Sequence, residues 1–385
     1  MASRQTVPPA KPSAKNSDGD DRLLKQSFWQ GFLANPEFGA VAGTVLVFVI
    51  FLVAAGDSGM FSAEGIVNWG TVAAYLGIIA VAAALLMIGG EFDLSIGSMI
   101  GFAGMVFAIP VLYWGLPPWV SAIITLIFAM GIGWLNGYIV VKTGLSSFIV
   151  TLALFFVLRG LTLAVAVILT NQTIISSNDG LTLRDAVVAD PLFSGLFFGY
   201  VGTGLFNFLA AHGWLAARDD GAALAIGIPK VMVWWLVITV VGAFVLLKMR
   251  FGNWVQAVGG DANAAKNLGI PVQRVKIILF MLTALAGALF GLLQVADAGS
   301  AAADRGMLKE FEAIIAAVIG GCLLTGGYGS VIGASLGALI FGMVQIGIGY
   351  TSIDNSWYRV ILGVLLLLAV VFNNYVRKKF AIGKV

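Results

Sequence analysis

Apolar residues in this chain come in unbroken runs and not in alternation. Val45 to Val53 and Val360 to Val371 contain no charged residue and no period of two. Comparable runs recur along the sequence and predict about ten helices, near 37–55, 70–88, 96–114, 119–141, 145–169, 231–248, 273–296, 310–325, 330–350 and 357–376. A helix of about 20 apolar residues crosses a hydrocarbon core about 30 Å thick. Within such a helix the backbone groups satisfy one another, which lipid requires. A transmembrane barrel needs alternating strands, and these runs do not supply them. The predicted fold class is therefore all-α, a polytopic membrane protein.

Composition agrees. The chain has 385 residues, of which 59% are hydrophobic and 11% charged. One soluble core does not hide that much apolar surface. A formal net charge of +3 is too small and too scattered to suggest nucleic acid as a partner. One cysteine, Cys322, and one histidine, His212, leave no internal disulfide and no His/Cys metal cluster. No cofactor is implied.

The polar segments set the orientation. Residues 1 to about 20 are rich in Pro, Ser, Lys and Asp and read as a disordered tail without a cleavable signal. Leu24, Phe28 and Phe32 then recur at helical spacing, which predicts an interfacial helix over 21–34 within the N-terminal tail 1–35. With that tail inside, 15 of the 22 Lys and Arg residues face the cytoplasm, as the positive-inside rule requires. Both termini are then cytoplasmic, the C-terminal tail being 377–385. Trp69, Trp114, Trp119, Trp234, Trp235 and Trp357 fall at predicted outer ends, where an indole favours the interface. Residues 170–230 form an outer insert, within which Pro191 to Ala217 is uncharged and reads as an interfacial or re-entrant helix. The remainder of 36–376 is the transmembrane domain, with a cytoplasmic loop at 249–272.

Forty-nine glycines include four pairs at helical spacing, Gly97/Gly101, Gly133/Gly137, Gly287/Gly291 and Gly333/Gly337, which predict close helix approach. Gly89-Gly90 precedes Glu91 and Asp93 and weakens the helix there, while Asp93 is placed to cap a new helix near Leu94. Glu91 is a costly carboxylate at membrane depth. A broken helix of this kind is a common transporter device. Asn136, Gln294 and Gln345 are uncharged hydrogen-bonding groups inside spans, able either to bond between helices or to serve a polyol. Arg159 lies within a span and needs a backbone carbonyl, a distant carboxylate or an outward path. A faint echo relates Gly89-Gly90, Gly97 and Gly101 to Gly326-Gly327, Gly333 and Gly337.

These motifs resemble a known family. Phe251 to Val272 is similar to the cytoplasmic coupling loop of ABC importer permeases, with Ala264, Ala265 and Gly269 on its pattern of two Ala, three variable residues and Gly, and Asn263 where many members have Glu. Gly89-Gly-Glu-Phe-Asp-Leu-Ser-Ile-Gly97 resembles the signature of ribose- and xylose-type sugar permeases, with Glu91 at a glycine position. The likeness continues through Gly133 to Gly137, Phe148 to Leu152, Arg159-Gly160 and Gly320 to Gly333.

The resemblance implies the ABC importer permease fold with broken or half helices. It implies ATPase coupling through Gly259, Asp261, Asn263, Ala264, Ala265, Gly269 and Ile270. Glu91, Asp93, Ser95, Asn136, Gln294 and Gln345 are the candidates for the solute pathway. The expected partners are a second permease copy or homologue, cytoplasmic ATPases, and a periplasmic or lipid-anchored sugar-binding protein at the bacterial inner membrane. No phosphate-cradling Gly-x-x-x-x-Gly-Lys loop occurs, so ATP hydrolysis is not expected of this chain. Rival readings are an importer of branched-chain amino acids or another small solute on this scaffold, and an ion-coupled secondary transporter.

Overall fold

The computed structural model describes residues 36–381. The expected disordered tail and interfacial helix of residues 1–35 lie outside this range. Ten helices answer the ten apolar runs. They are α1 (Pro36–Ala55), α2 (Ala63–Ile88), α3 (Ile96–Tyr113), α4 (Pro118–Thr143), α5 (Ser147–Thr170), then α9 (Lys230–Lys248), α12 (Val272–Ala298), α13 (Lys309–Ile319), α14 (Val331–Gly347) and α15 (Tyr358–Ala381). Eight helices among the described residues are long and apolar enough to cross a membrane. The runs at 310–325 and 357–376 are not among them, the second because its apolar helical stretch covers only Asn355–Leu368. The helix of the first, α13, has 11 residues, because Gly320 and Gly321 end it and Gly321 is left-handed. At about 1.5 Å per residue it reaches about half-way across.

The insert holds α6 (Leu183–Ala189), α7 (Pro191–Phe197) and α8 (Thr203–Ala211), with short strands that include β1 (Ile174–Ile175). Asp190 starts α7 by accepting from the N–H groups of Leu192 and Phe193 at 3.0 Å each. The uncharged stretch 191–217 is thus two short helices of 7 and 9 residues and does not span. Lys230 Nζ and Trp234 Nε1 donate to the carbonyls of Ser194 and Leu196, which clamps the insert onto α9. Trp235 departs from the interfacial expectation: its ring packs onto Gly77 of α2, and its indole N–H has no partner.

Between α9 and α12 lie α10 (Arg250–Gly260) and α11 (Ala262–Asn267). Their end of the molecule also holds the last residues of α2 and the loop 320–330, as the glycine contacts described below establish. All four predicted glycine pairs make close approaches. Gly133 and Gly137 of α4 lie on α12 at Phe280 and Ile277, Gly287 and Gly291 of α12 on α3, and Gly333 and Gly337 of α14 on α13. Gly97 and Gly101 instead receive the backbone of residues 303–306. The core lies among α2, α3, α12 and α14, whereas α1, α5 and α9 turn most of their apolar residues outward.

Candidate functional site

Two crossings are discontinuous, in opposite senses. After α2 ends at Ile88, residues 89–95 run without helix before α3 starts at Ile96. Helix α12 serves as a ruler. Asp93 meets Thr283, and Ile96 and Met99 meet Gly287, roughly 16 Å and 22 Å along α12 from Val272. Helix α3 therefore begins near mid-membrane. After α12 the chain turns back at Gly299, pairs Ala301–Ala302 with β1, and passes down Gly101 and Gly97 before α13 starts at Lys309. One crossing is unwound in the half near α11, the other in the half near the insert. The N-termini of α3 and α13 meet where the carboxylate of Glu310 lies against Gly97.

Helix-free backbone at this depth needs partners, and the segment 91–95 has them. Phe92 N–H donates to Ser147 Oγ at 3.1 Å and Leu94 N–H to Thr151 Oγ1 at 3.0 Å. Asp93 Oδ1 accepts from the N–H and Oγ of Ser95 at 2.9 and 2.6 Å, and Oδ2 accepts from Thr283 Oγ1 at 2.6 Å. Asn136 Nδ2 donates to Ser95 Oγ at 2.9 Å. Asp93, Ser95, Asn136 and Thr283 are all buried. Asp93 does not cap a helix at Leu94 as expected: α3 starts two residues later, with Ser95 as the flanking residue, because the carboxylate is taken up by its own turn and by α12.

Glu91 stands apart from this group. It is ion-paired to Lys276 on α12 and lines a cavity of ≈ 710 Å³ between the unwound segment, the α4–α5 turn and α11. Gln294 lies on α12 with a buried Oε1 that has no partner among the described residues, and Gln345 on α14 accepts from Tyr358 Oη at 3.3 Å. Neither hydrogen-bonds to the Asp93 group. Arg159 takes the carbonyl solution, donating to Asp304 O at 3.2 Å with its guanidinium 5.7 Å from the Phe155 ring.

The Gly-bounded loop is built as its residues imply. Asp261 Oδ1 accepts from Asn263 and Ala264 N–H at 2.8 and 3.0 Å, starting α11. Gly269 ends it with φ +80°, a left-handed turn. Asn263 and Ala264 are exposed, whereas Ala265 is buried against α10 and α12 and Ile270 is half-buried. Gly259 is the joint. A side chain there would overlap Ile88 O and the Gly327 amide, and Gly326 and Gly327 lie on the backbone of Gly90, Gly259 and Gly260. The two glycine pairs that echo each other in the sequence thus converge on a third, at the root of α11.

Several of these residues gave no signal in the sequence. Ser147, Thr151 and Thr283 look like ordinary small polar residues of apolar helices. Glu310 sits at the edge of a predicted span, yet it is 2% exposed and its Oε2 has no hydrogen-bond partner among the described residues. A carboxylate there is as costly at membrane depth as Glu91.

The family described as branched-chain amino acid transport system / permease component matches residues 65–370. Among curated proteins, a xylose transport system permease protein of Haemophilus influenzae is 31% identical over 363 residues, covering 87% of this chain and 95% of that protein. A ribose import permease protein of Escherichia coli K12 is 30% identical over 332 residues, covering 86% and 91%. A fructose import permease protein of Rhizobium meliloti is 28% identical over 361 residues, covering 94% and 91%. No solved structure matches the chain.

Proposed function

The chain belongs to the permease-component family of branched-chain amino acid transport systems, and from that premise we propose that it is the membrane-spanning subunit of a bacterial ABC importer for a monosaccharide or related polyol. Relatives named for xylose, ribose and fructose transport support the sugar over an amino acid as solute. An ion-coupled secondary transporter is disfavoured because Asp93 is fully engaged by Ser95 and Thr283 and Glu91 by Lys276, so these carboxylates form no relay.

The observation that carries the mechanism is the glycine junction. Helix α11 presents Asn263 and Ala264 outward, to a cytoplasmic ATPase in this reading. Its root at Gly259–Gly260 touches the backbone of Gly90, in the first unwound segment, and of Gly326–Gly327, in the loop that follows the second crossing. A displacement of α10 and α11 therefore reaches the unwound segment 89–95 directly, and the second crossing from its helical end through the loop that follows α13, without passing through flexible side chains. ATPase closure moves α11, the junction shifts, and the crossings open toward one side or the other. Two permease subunits, ATPases on the cytoplasmic face and an external binding protein complete the assembly. Selectivity rests with the binding protein, since a passage that held sugar tightly would not release it. Gln294 and Asn136, whose buried side-chain oxygens lack a donor among the described residues, and Gln345 are the pathway groups with hydrogen-bonding capacity to offer a hydroxyl, while Asp93, Ser95 and the amide nitrogen of Asn136 hold the break in place.

The test is ATP hydrolysis and uptake by the reconstituted assembly, with and without loaded binding protein, for Ala264→Trp and Gly269→Val. Ala264→Trp adds bulk on the exposed side of α11. Gly269→Val forces a β-branched residue into a left-handed turn, costing about 1–2 kcal/mol locally. Both should abolish stimulation while the spans stay folded. Normal stimulation and uptake in both variants would reduce the loop to a connector.

A further inference from the structure

The cavity beside Glu91 is not used by the mechanism above. It has a volume of ≈ 710 Å³ and opens at the end of the molecule that carries α11. Its charged lining is Glu91, Lys266, Arg274 and Lys276. Lys276 is neutralised by Glu91, and no ion pair among the described residues engages Lys266 or Arg274. The cavity therefore carries two unmatched cations from two different helices, α11 and α12.

Its outer rim is apolar. On α4, Trp134, Tyr138 and Val141 follow one another at helical spacing, and Val141 is itself part of the cavity wall. Trp134 and Tyr138 are stacked with ring centroids 5.1 Å apart, and both are exposed. On α12, Ile278 stands one turn from Arg274 and is also exposed. The contacts of Gly133 and Gly137 with Phe280, Met281 and Ile277 hold α4 and α12 side by side, so these exposed residues flank one seam. An aromatic and aliphatic strip thus runs along the membrane face of two spans and ends at a cavity holding two unpaired cations.

We infer that this cavity binds the phosphate headgroup of an anionic phospholipid, whose acyl chains lie along Trp134, Tyr138 and Ile278. A basic pocket between helices at the cytoplasmic surface suits such a headgroup. A free phosphate uses the same cations but gains nothing from the strip. Because Asn263 and Lys266 of α11 line the cavity, the lipid touches the helix on which ATPase coupling is proposed to act. Lipid binding itself does not depend on that coupling.

The experiment uses the full chain, purified in detergent and exchanged into nanodiscs of phosphatidylcholine or of phosphatidylcholine with phosphatidylglycerol, with bound lipid counted by native mass spectrometry. Wild type should retain phosphatidylglycerol, and the Lys266→Gln/Arg274→Gln variant should bind it roughly thirtyfold more weakly, at about five- to sixfold per cation. Lys266→Arg/Arg274→Lys should retain it, which separates charge from misfolding. Retention of phosphatidylcholine should be equal in all three. Excess glycerol phosphate should displace the lipid poorly; full displacement at equal concentration would mean a phosphate site and not a lipid site. Equal phosphatidylglycerol retention in wild type and the Gln variant would overturn the proposal. That result joined to loss of ATPase co-purification would assign the cavity to an acidic group of the ATPase instead.

Discussion

Gly327 donates its backbone N–H to the carbonyl of Ile88 at 2.8 Å, joining the loop before α14 to the last turn of α2 directly over Gly259. The bond runs between backbones, so neither side yields by changing a rotamer. Gly259→Ala places a methyl group on Ile88 O and within 2.7 Å of the Gly327 nitrogen. It should cost about 1–3 kcal/mol through overpacking and abolish binding-protein stimulation of the ATPase. Gly260→Ala is the control, because nothing lies within 4 Å of its added carbon. It should stay within about 0.5 kcal/mol of wild type. Thermal unfolding in detergent separates the two, and equal stability would remove the junction from the mechanism.

Asp93 is the acceptor for Ser95 N–H, Ser95 Oγ and Thr283 Oγ1. Asp93→Ala strands both Ser95 donors and leaves Thr283 Oγ1 only the Phe280 carbonyl at 2.9 Å, and should destabilise by about 2–6 kcal/mol, at roughly 1–3 kcal/mol for each buried donor left unpaired. Asp93→Asn keeps one carbonyl acceptor and should lose less. Thr283→Val should cost about 1–2 kcal/mol. Denaturation curves for the three variants should rank in that order. A wild-type curve for Asp93→Ala would mean the network does not hold the helix break.

Gly97 and Glu310 should be coupled. Any side chain at Gly97 overlaps the Glu310 carboxylate and lies 2.8 Å from Gly306 O, so Gly97→Ala alone should cost about 1–3 kcal/mol. Adding Glu310→Ala removes the first obstacle and leaves the second. The double variant should recover part of the loss, with an interaction energy of roughly 1 kcal/mol. Additive losses would show that the two half-helices do not meet here.

Sidedness is open to labelling. A cysteine at Ser177 or Asp219, both exposed in the insert, should react with an impermeant maleimide from outside the cell, and one at Asn263 only after permeabilisation. Cys322 is buried and should stay silent in every variant, so the wild-type background needs no cysteine removal. External reaction at Asn263 would invert the orientation and end the coupling proposal.

The positions of the spans were legible because membrane helices write themselves as apolar runs, and α1 to α5 begin and end within a few residues of their expected limits except where α2 extends seven residues earlier, to Ala63. The eighth run misled. Its apolar residues continue through Cys322, Leu323 and Leu324, yet Gly320 and Gly321 stop α13 where hydropathy gives no sign of it. The glycine pairs announce close packing but not its partner, and Gly97 and Gly101 meet the turns of residues 303–306 in place of a helix. Asp93 and Glu91 stood out as carboxylates in an apolar context. Their partners Thr283 and Lys276 lie more than 180 residues away, a pairing that local pattern does not carry.

The brevity of α13 bears on how the chain enters the bilayer during synthesis. A segment of 11 residues beginning Lys309-Glu310-Phe311-Glu312 is too short and too charged to leave the translocon as an independent stop. It should therefore enter together with α14, against whose Gly333 and Gly337 its backbone lies, and be released to lipid as a hairpin. Residues 300–308 are then sheathed only after α3 is in place beside them. The crossing at 299–319 should thus be completed by docking onto helices made earlier, and a ribosome stalled before Val331 should leave it without its support.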